Sequence, residues 1–180
     1  MKDLLAVAID SKRLSLRSFT DADAANSFAS ATAAVTRFMG WDPSPSPAAF
    51  AEIWQEWLAQ MAAGTDVVLT VHLRLTSEFL GVAGLYHIGG PEPELGIWIK
   101  EQAQGIGYGR EAVAATIAWA ARALSVASFE YPVAVENRRS QRVAESLGGV
   151  LAGTRMLRKA SGVVLDEVVY RIPATNAVAK

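Results

Sequence analysis

The segment Gln104-Gly105-Ile106-Gly107-Tyr108-Gly109-Arg110 runs straight into an alanine-rich stretch of helical periodicity, and it restricts the fold more than any other part of the chain. Small residues at a helix start free main-chain N–H groups that have no intrahelical acceptor, and the helix dipole favours negative charge at that end. The segment is therefore read as a cradle for a pyrophosphate. It lacks a G-K-[ST] ending, so no lysine and hydroxyl are placed for a nucleoside triphosphate and magnesium. In the register Gly105-x-Gly107-x-x-Arg110 the third glycine of a dinucleotide fingerprint is replaced by Arg110. The pattern that fits is Q/R-x-x-G-x-G/A, with Gln104, Gly107 and Gly109 in the fixed positions.

Such a cradle belongs between a strand and a helix, and the flanks supply both. Arg13 to Phe19 alternates as a strand, with Leu14, Leu16 and Ser18 on one face. Thr20, followed by Asp21 and Asp23, marks an N-cap and a first helix to about Ala34. From Phe38 to Pro47 repeated prolines exclude a regular helix or central strand, leaving a loop that carries Phe38 and Trp41. Ser46 and Pro47 open a second, amphipathic helix to Gly64, along which Phe50, Ile53, Trp54, Trp57, Leu58 and Met61 recur at helical spacing. Asp66 to Leu75 and Phe79 to Ile88 form a hairpin, and Glu94 to Lys100 is the third strand of its meander.

After the cradle a helix runs to about Leu124, with Val113, Ile117, Trp119 and Ala120 on its buried face. Ser128 to Val135 is a strand, and Arg138 to Leu147 a helix closed by Gly148-Gly149. Val150 to Arg158 and Val163 to Ile172 are a closing strand pair, and the tail after Pro173 is expected to be loose. The order predicts one α/β domain over residues 1–180, with the cradle at a strand's carboxyl end, where open sheets place ligands.

Composition narrows the partners. A 51% hydrophobic chain with no run long enough to span a bilayer is expected to be soluble, and its amino end lacks a signal-peptide pattern, so the expected compartment is the cytoplasm. Seventeen basic and eighteen acidic residues give no global field for nucleic acid or an anionic membrane. Without cysteine there is no disulfide, thiolate nucleophile or Cys-type zinc site, and no metal is expected. Monomer and homodimer stay equally open.

The element order, the segment Glu94-Leu95-Gly96-Ile97-Trp98-Ile99, the cradle, and Glu136-Asn137-Arg138-Arg139-Ser140 followed by Glu145-Ser146-Leu147-Gly148 together resemble the GNAT N-acetyltransferases from Leu14 to Ile172. Within that superfamily the chain is most similar to the branch that acetylates the amino ends of ribosomal proteins. The resemblance implies a central, mostly antiparallel mixed sheet with a V-shaped split, flanked by about four helices. It also implies acetyl-CoA bound in the split between the strands of Glu94 and Ser128, with direct attack by an amine.

Under that resemblance Ile97, Trp98 and Ile99 supply a strand edge that hydrogen-bonds the amide-bearing arm of acetyl-CoA, and their N–H groups polarise the thioester carbonyl. Gly105, Gly107, Gly109 and the amides of Ile106, Tyr108 and Arg110 hold the pyrophosphate, with Gln104 and Arg110 adding side-chain donors. Asn137 is an N-cap by position and a ligand of the arm by resemblance. Many relatives place a thiolate-protonating tyrosine seven residues after this asparagine, where Ala144 stands here. In the favoured branch a serine three residues after it does the job, and Ser140 fits; otherwise it is a solvated helix serine. Glu94 is either the general base for the amine or a strand-end glutamate paired to an arginine. His72 and His87 read as hydrogen-bonded core residues. Trp54 and Trp57 are core or lid packing, and Phe38 and Trp41 are the candidates for the amine pocket. The acceptor expected is a peptide or protein N-terminus; rivals are a small amine, such as an antibiotic or amino acid derivative, and a CoA-binding sensor without turnover.

Overall fold

The computed structural model describes residues 3–174. Eight strands form one sheet in the order β1-β2-β3-β4-β5-β6-β8-β7, antiparallel except where β5 meets β6. The strands are β1 Ala8–Asp10, β2 Leu14–Ser18, β3 Val67–Leu73, β4 Phe79–Tyr86, β5 Glu94–Ile99, β6 Ser128–Ala134, β7 Val150–Arg158 and β8 Val164–Pro173. The helices are α1 Ala24–Ser30, α2 Ala33–Thr36, α3 Pro47–Ala63, α4 Tyr108–Leu124 and α5 Arg138–Ser146. Most of the expected tail after Pro173 lies outside the described residues.

In β2 the alternation holds, with Leu14, Leu16 and Ser18 buried. The strand beside it, β1, was not read from the sequence: three residues ending at Asp10 are too short for periodicity to show, yet Ile9 pairs with Leu16. The buried Ser18 hydroxyl fastens this corner by donating to Leu4 O and accepting from Val7 N. The single helix expected up to Ala34 is instead a 3₁₀ turn, Asp21–Asp23, followed by α1 and α2. Ala31 leaves helical geometry, and the Thr32 hydroxyl restarts the chain by accepting from Val35 N, the competition that short hydroxylated side chains offer helices. The described residues thus hold five α-helices, where about four were expected.

Helix α3 begins and ends as expected, with Ser46 accepting from Ala49 N, Pro47 first, and Gly64 closing at φ 78°. Its aromatics pack edge to face: the ring centroids of Trp57 lie 5.2 Å from Phe19 and 5.7 Å from Phe50. Helix α4 buries Ala112, Val113, Thr116, Ile117 and Ala120. In the described residues no helix is long and apolar enough to cross a membrane.

The feature that positions the site is the parting of β5 and β6. They share one pair, Glu94 with Glu130, where Glu130 N donates to Pro93 O at 3.0 Å. Ladder alternation then decides which groups face the opening. Lys100 N donates to Leu80 O, so by the two-residue repeat the amides of Gly96 and Trp98 point at β4, and those of Ile97 and Ile99 point into the split. This corrects the expected edge of three, because the Trp98 amide belongs to the ladder. On the far side Val135 N donates to Asp166 O, so Tyr131 and Val133 face β8 while Pro132 and Ala134 face the split. A proline inside a central strand is tolerable there, since the N–H it lacks would have met no neighbouring strand.

That parity is testable by chemical denaturation. Pro132→Ala is expected to change stability by less than about 1 kcal/mol, whereas Val133→Pro, which strips a buried ladder donor, costs at least about 1–3 kcal/mol. Equal effects would mean that the ladder alternation has been assigned to the wrong side of β6.

Candidate active site

The cradle is a run of unpaired donors. Among the described residues none of the amides from Gly105 to Arg110 reaches an acceptor, and the first helical bond is Glu111 N to Gly107 O. Gly105 and Gly107 sit at φ 80° and 88°, a left-handed region that costs a side-chain-bearing residue energy. Gly109 is different. A Cβ there would lie 3.7 Å from Ile99, an ordinary contact, so internal packing does not demand glycine and the space is left open to a ligand. Six unpaired N–H groups at the start of a long helix fit a diphosphate.

Arg13 holds the cradle in shape, a role that sequence reading missed. Its Nε and main-chain N both donate to the Glu111 carboxylate at 2.7 Å, its Nη1 donates to Ile106 O, and its guanidinium lies 4.6 Å from the centre of the Tyr108 ring. Burial favours the protonated Glu111 carboxyl, but donation from Arg13 and Ser11 outweighs it and keeps the group below its ordinary value. The available signal was Glu111 itself, an acid in the first turn of α4. The side-chain donors expected of Gln104 and Arg110 are partly engaged elsewhere. Gln104 Nε2 donates to Ile99 O and Arg110 Nε to Ser146 Oγ, each at 2.9 Å.

Beside the split lies a cavity of about 250 Å³ that gathers residues distant in sequence: Phe38 and Trp41 from the loop, Glu94 and Ile97 from β5, and Asn137 and Ser140 from α5. Phe38 and Trp41 are half-buried, not exposed. Their loop is pinned to the β7–β8 hairpin, where the buried Lys159 ammonium donates to Thr36 O at 2.9 Å and pairs with Asp42 at 3.5 Å. Glu94 is paired to an arginine, as one of its two readings held. Arg155 donates from Nη1 to Glu94 Oε2 at 2.8 Å and from Nε to Glu167 Oε2 at 2.7 Å. Burial works against the guanidinium's charge, yet the two carboxylates more than compensate and raise its pKa above the usual arginine value. Neither Arg155 nor Glu167 was anticipated, because their meeting is a cross-strand register.

Asn137 caps α5, its Oδ1 accepting from Ser140 N at 3.2 Å. The Ser140 hydroxyl is not a solvated surface group: it lies 2.9 Å from the hydroxyl of Tyr131, on β6. Burial pushes the Tyr131 phenol up to about 12, with the bond to Ser140 pulling the other way, so it stays protonated. Gln141, on the next position, donates to Val135 O and ties α5 to the end of β6. Ala144, where a tyrosine is common, is fully buried. His72 is a core residue bonded to Ser77 O, but His87 is exposed, not in the core as expected, because it stands past the end of β4 in a turn at φ 58° with its main-chain N–H donating to Asp66 Oδ1; neither lines the cavity.

Comparison with known proteins identifies the family and the fold. The profile of the acetyltransferase (GNAT) domain matches residues 13–150. No curated protein matches the sequence. Among solved structures, RimL, a ribosomal-protein alpha-N-acetyltransferase in complex with coenzyme A, superposes with a TM-score of 0.80 at 20% identity, covering 93% of this chain and 98% of that one. A spermidine N-acetyltransferase from Vibrio cholerae, in complex with CoA and spermine, gives 0.79 at 18% identity over 93% and 99% of the two chains. An acetyltransferase from Agrobacterium tumefaciens gives 0.74 at 28% identity over 92% and 93%. With its cradle and parted strands inside a profile match that covers most of its length, the chain belongs to the GNAT family of acetyltransferases, whose members use acetyl-CoA.

Proposed function

We propose that this N-acetyltransferase modifies the amino terminus of a peptide or protein, by direct attack of the amine on the thioester. The observation that carries this reading is the Glu94–Arg155–Glu167 bridge in the acceptor cavity. An α-amine arrives mostly as one ammonium and is followed at once by a peptide carbonyl. Two carboxylates and one guanidinium leave one net negative charge to meet the ammonium, and Arg155 Nη2, engaged by neither carboxylate, is free to donate to the carbonyl. A polycation is better served by carboxylates that no arginine neutralises. The similarity to a spermidine acetyltransferase keeps a small polyamine as the second reading.

Each residue then has a task. The amides from Gly105 to Arg110 hold the diphosphate, and the Ile97 and Ile99 amides take the arm and the thioester carbonyl, with Asn137 Nδ2 assisting. Trp98 shapes the wall through its side chain. Glu94 keeps Oε2 on Arg155 and offers Oε1 to the ammonium, receiving its proton directly or through one water. A phenol is a stronger donor than an aliphatic hydroxyl, so Tyr131 donates to Ser140 Oγ, and the serine's own proton is left for the departing sulfur. Tyr131 is in this sense a positioning residue, holding Ser140 in its productive rotamer.

Thiol release from acetyl-CoA, measured against peptides, polyamines and aminoglycosides, tests the acceptor class; peptides are expected to give the highest kcat/KM. Arg155→Met is expected to shift preference toward polyamines, and an unchanged ranking would remove the bridge from the argument. Gly107→Glu is expected to abolish acetyl-CoA binding in calorimetry through bulk, backbone strain and like charge; retained affinity would refute the cradle. Ser140→Ala is expected to lower kcat by about a hundredfold with little change in acetyl-CoA affinity. Tyr131→Phe should lower kcat less, and the double variant should be no worse than Ser140→Ala alone. Both losses should shrink when the thioester carries a more acidic leaving thiol. Additive losses that ignore the leaving group would reduce the pair to packing.

A further inference from the structure

A second cavity, of about 290 Å³, adjoins the acceptor cavity. Met39, Trp41, Tyr86, Gly96 and Ile97 line both, so the two share one wall. The ring of Tyr86 lies across Gly96, where an added Cβ would come within 2.9 Å of Cε2, so glycine at this point lets the ring sit flat at the junction. Past it the walls are Val82 and Trp98, which pair across β4 and β5, together with Ile53 and Trp57 of α3. Among the residues lining this chamber there is no carboxylate, lysine, arginine or histidine.

Protein interiors are normally packed without voids of this size, and an apolar chamber of about 150 Å³ is enough to take up benzene. The chamber is on the Trp98 face of β5, opposite the face on which Gly109 of α4 meets Ile97 and Ile99. Its occupant therefore comes with the acceptor and not with the diphosphate-bearing substrate. A cation entering it would lose water and find no carboxylate to offset that loss, only ring faces, whereas an apolar group meets matching walls.

We infer that the chamber is a specificity pocket for a bulky apolar group attached close to the accepting amine, an aromatic or branched aliphatic side chain on the acceptor's first residue. This rests on the peptide reading above and sharpens it: the preferred amino-terminal residue is phenylalanine-like or leucine-like, and alanine or serine leaves the chamber empty. Transfer of such a side chain out of water predicts a preference of about tenfold or more in kcat/KM.

The test compares peptides of one sequence that differ only in the first residue, Phe, Leu, Ala or Ser, with purified enzyme and acetyl-CoA. Phe and Leu are expected to exceed Ala and Ser by that factor. In Ile53→Trp, which fills the chamber from the half-buried face of α3, the ratio is expected to fall toward one. Equal or reversed preference in the unsubstituted enzyme overturns the inference while leaving the peptide reading intact. A change in KM for acetyl-CoA, with the acceptor ratio untouched in Ile53→Trp, also overturns it. Should no peptide react, the peptide reading falls, and phenylethylamine against ethylamine decides the chamber: a tenfold preference for the former supports it and parity rejects it.

Discussion

Two strands that separate after a single pair govern what this molecule can do. Had β5 and β6 stayed in register, the amides of Ile97 and Ile99 would be ordinary ladder donors and nothing could be read by them. Sheet edges are usually blunted because unpaired donors recruit other strands. Here the edge is internal, shielded by its neighbours on both sides, so it is open only to a ligand narrow enough to enter as a strand would. The start of α4 adjoins this edge, with Gly109 beside Ile97 and Ile99. Under the proposed function, arm and diphosphate meet main-chain donors on β5 and in the cradle.

Main-chain recognition explains why this half of the site was legible. A donor supplied by the backbone is specified by local conformation, and local conformation is written in contiguous residues: alternating glycines, a helix start, a strand before it. The Asn137 cap was legible for the same reason, since a cap and the residue it bonds are one turn apart, whereas Ser140 stood out only through the family resemblance. Boundaries failed where short polar side chains offered a rival local bond, as at Thr32, or where an element was too short for a period, as in β1. Trp98 was misplaced because a run of three residues on a strand cannot all face one way.

The acceptor half follows a different logic. Arg155 reaches Glu94 across 61 positions and Glu167 across 12, and Lys159 reaches Thr36 across 123. None of these separations has a sequence period, and each is set by strand register or by how a hairpin folds over a loop. An arginine on a closing strand looks like any solvated edge residue until its cross-strand partner is known. Tyr131 was hidden similarly, as one more large residue in a strand whose inner face is apolar, with only its hydroxyl to distinguish it.

Anchoring the acceptor loop through Lys159 makes the two halves mechanically unequal. The cradle is fixed by Arg13 and Glu111, a charged pair held by the main chain on both sides, and by a long helix packed on the sheet. The loop carrying Phe38 and Trp41 is held by one buried ammonium with a carbonyl and a partly exposed carboxylate, and by Leu157 against Gly40. Hydrogen bonding from Ser161, together with the Lys159 charge, holds the Asp42 carboxyl below its ordinary value. Substitution in the loop or at the turn of the hairpin acts on the cavity directly, through Lys159 and Asp42, whereas substitution at the cradle reaches β2 and α4 through Arg13 and Glu111. Under the proposed function, a site divided in this way binds its acyl donor through main-chain groups and its acceptor through side chains, so the acceptor can change by side-chain substitution while the donor half is kept.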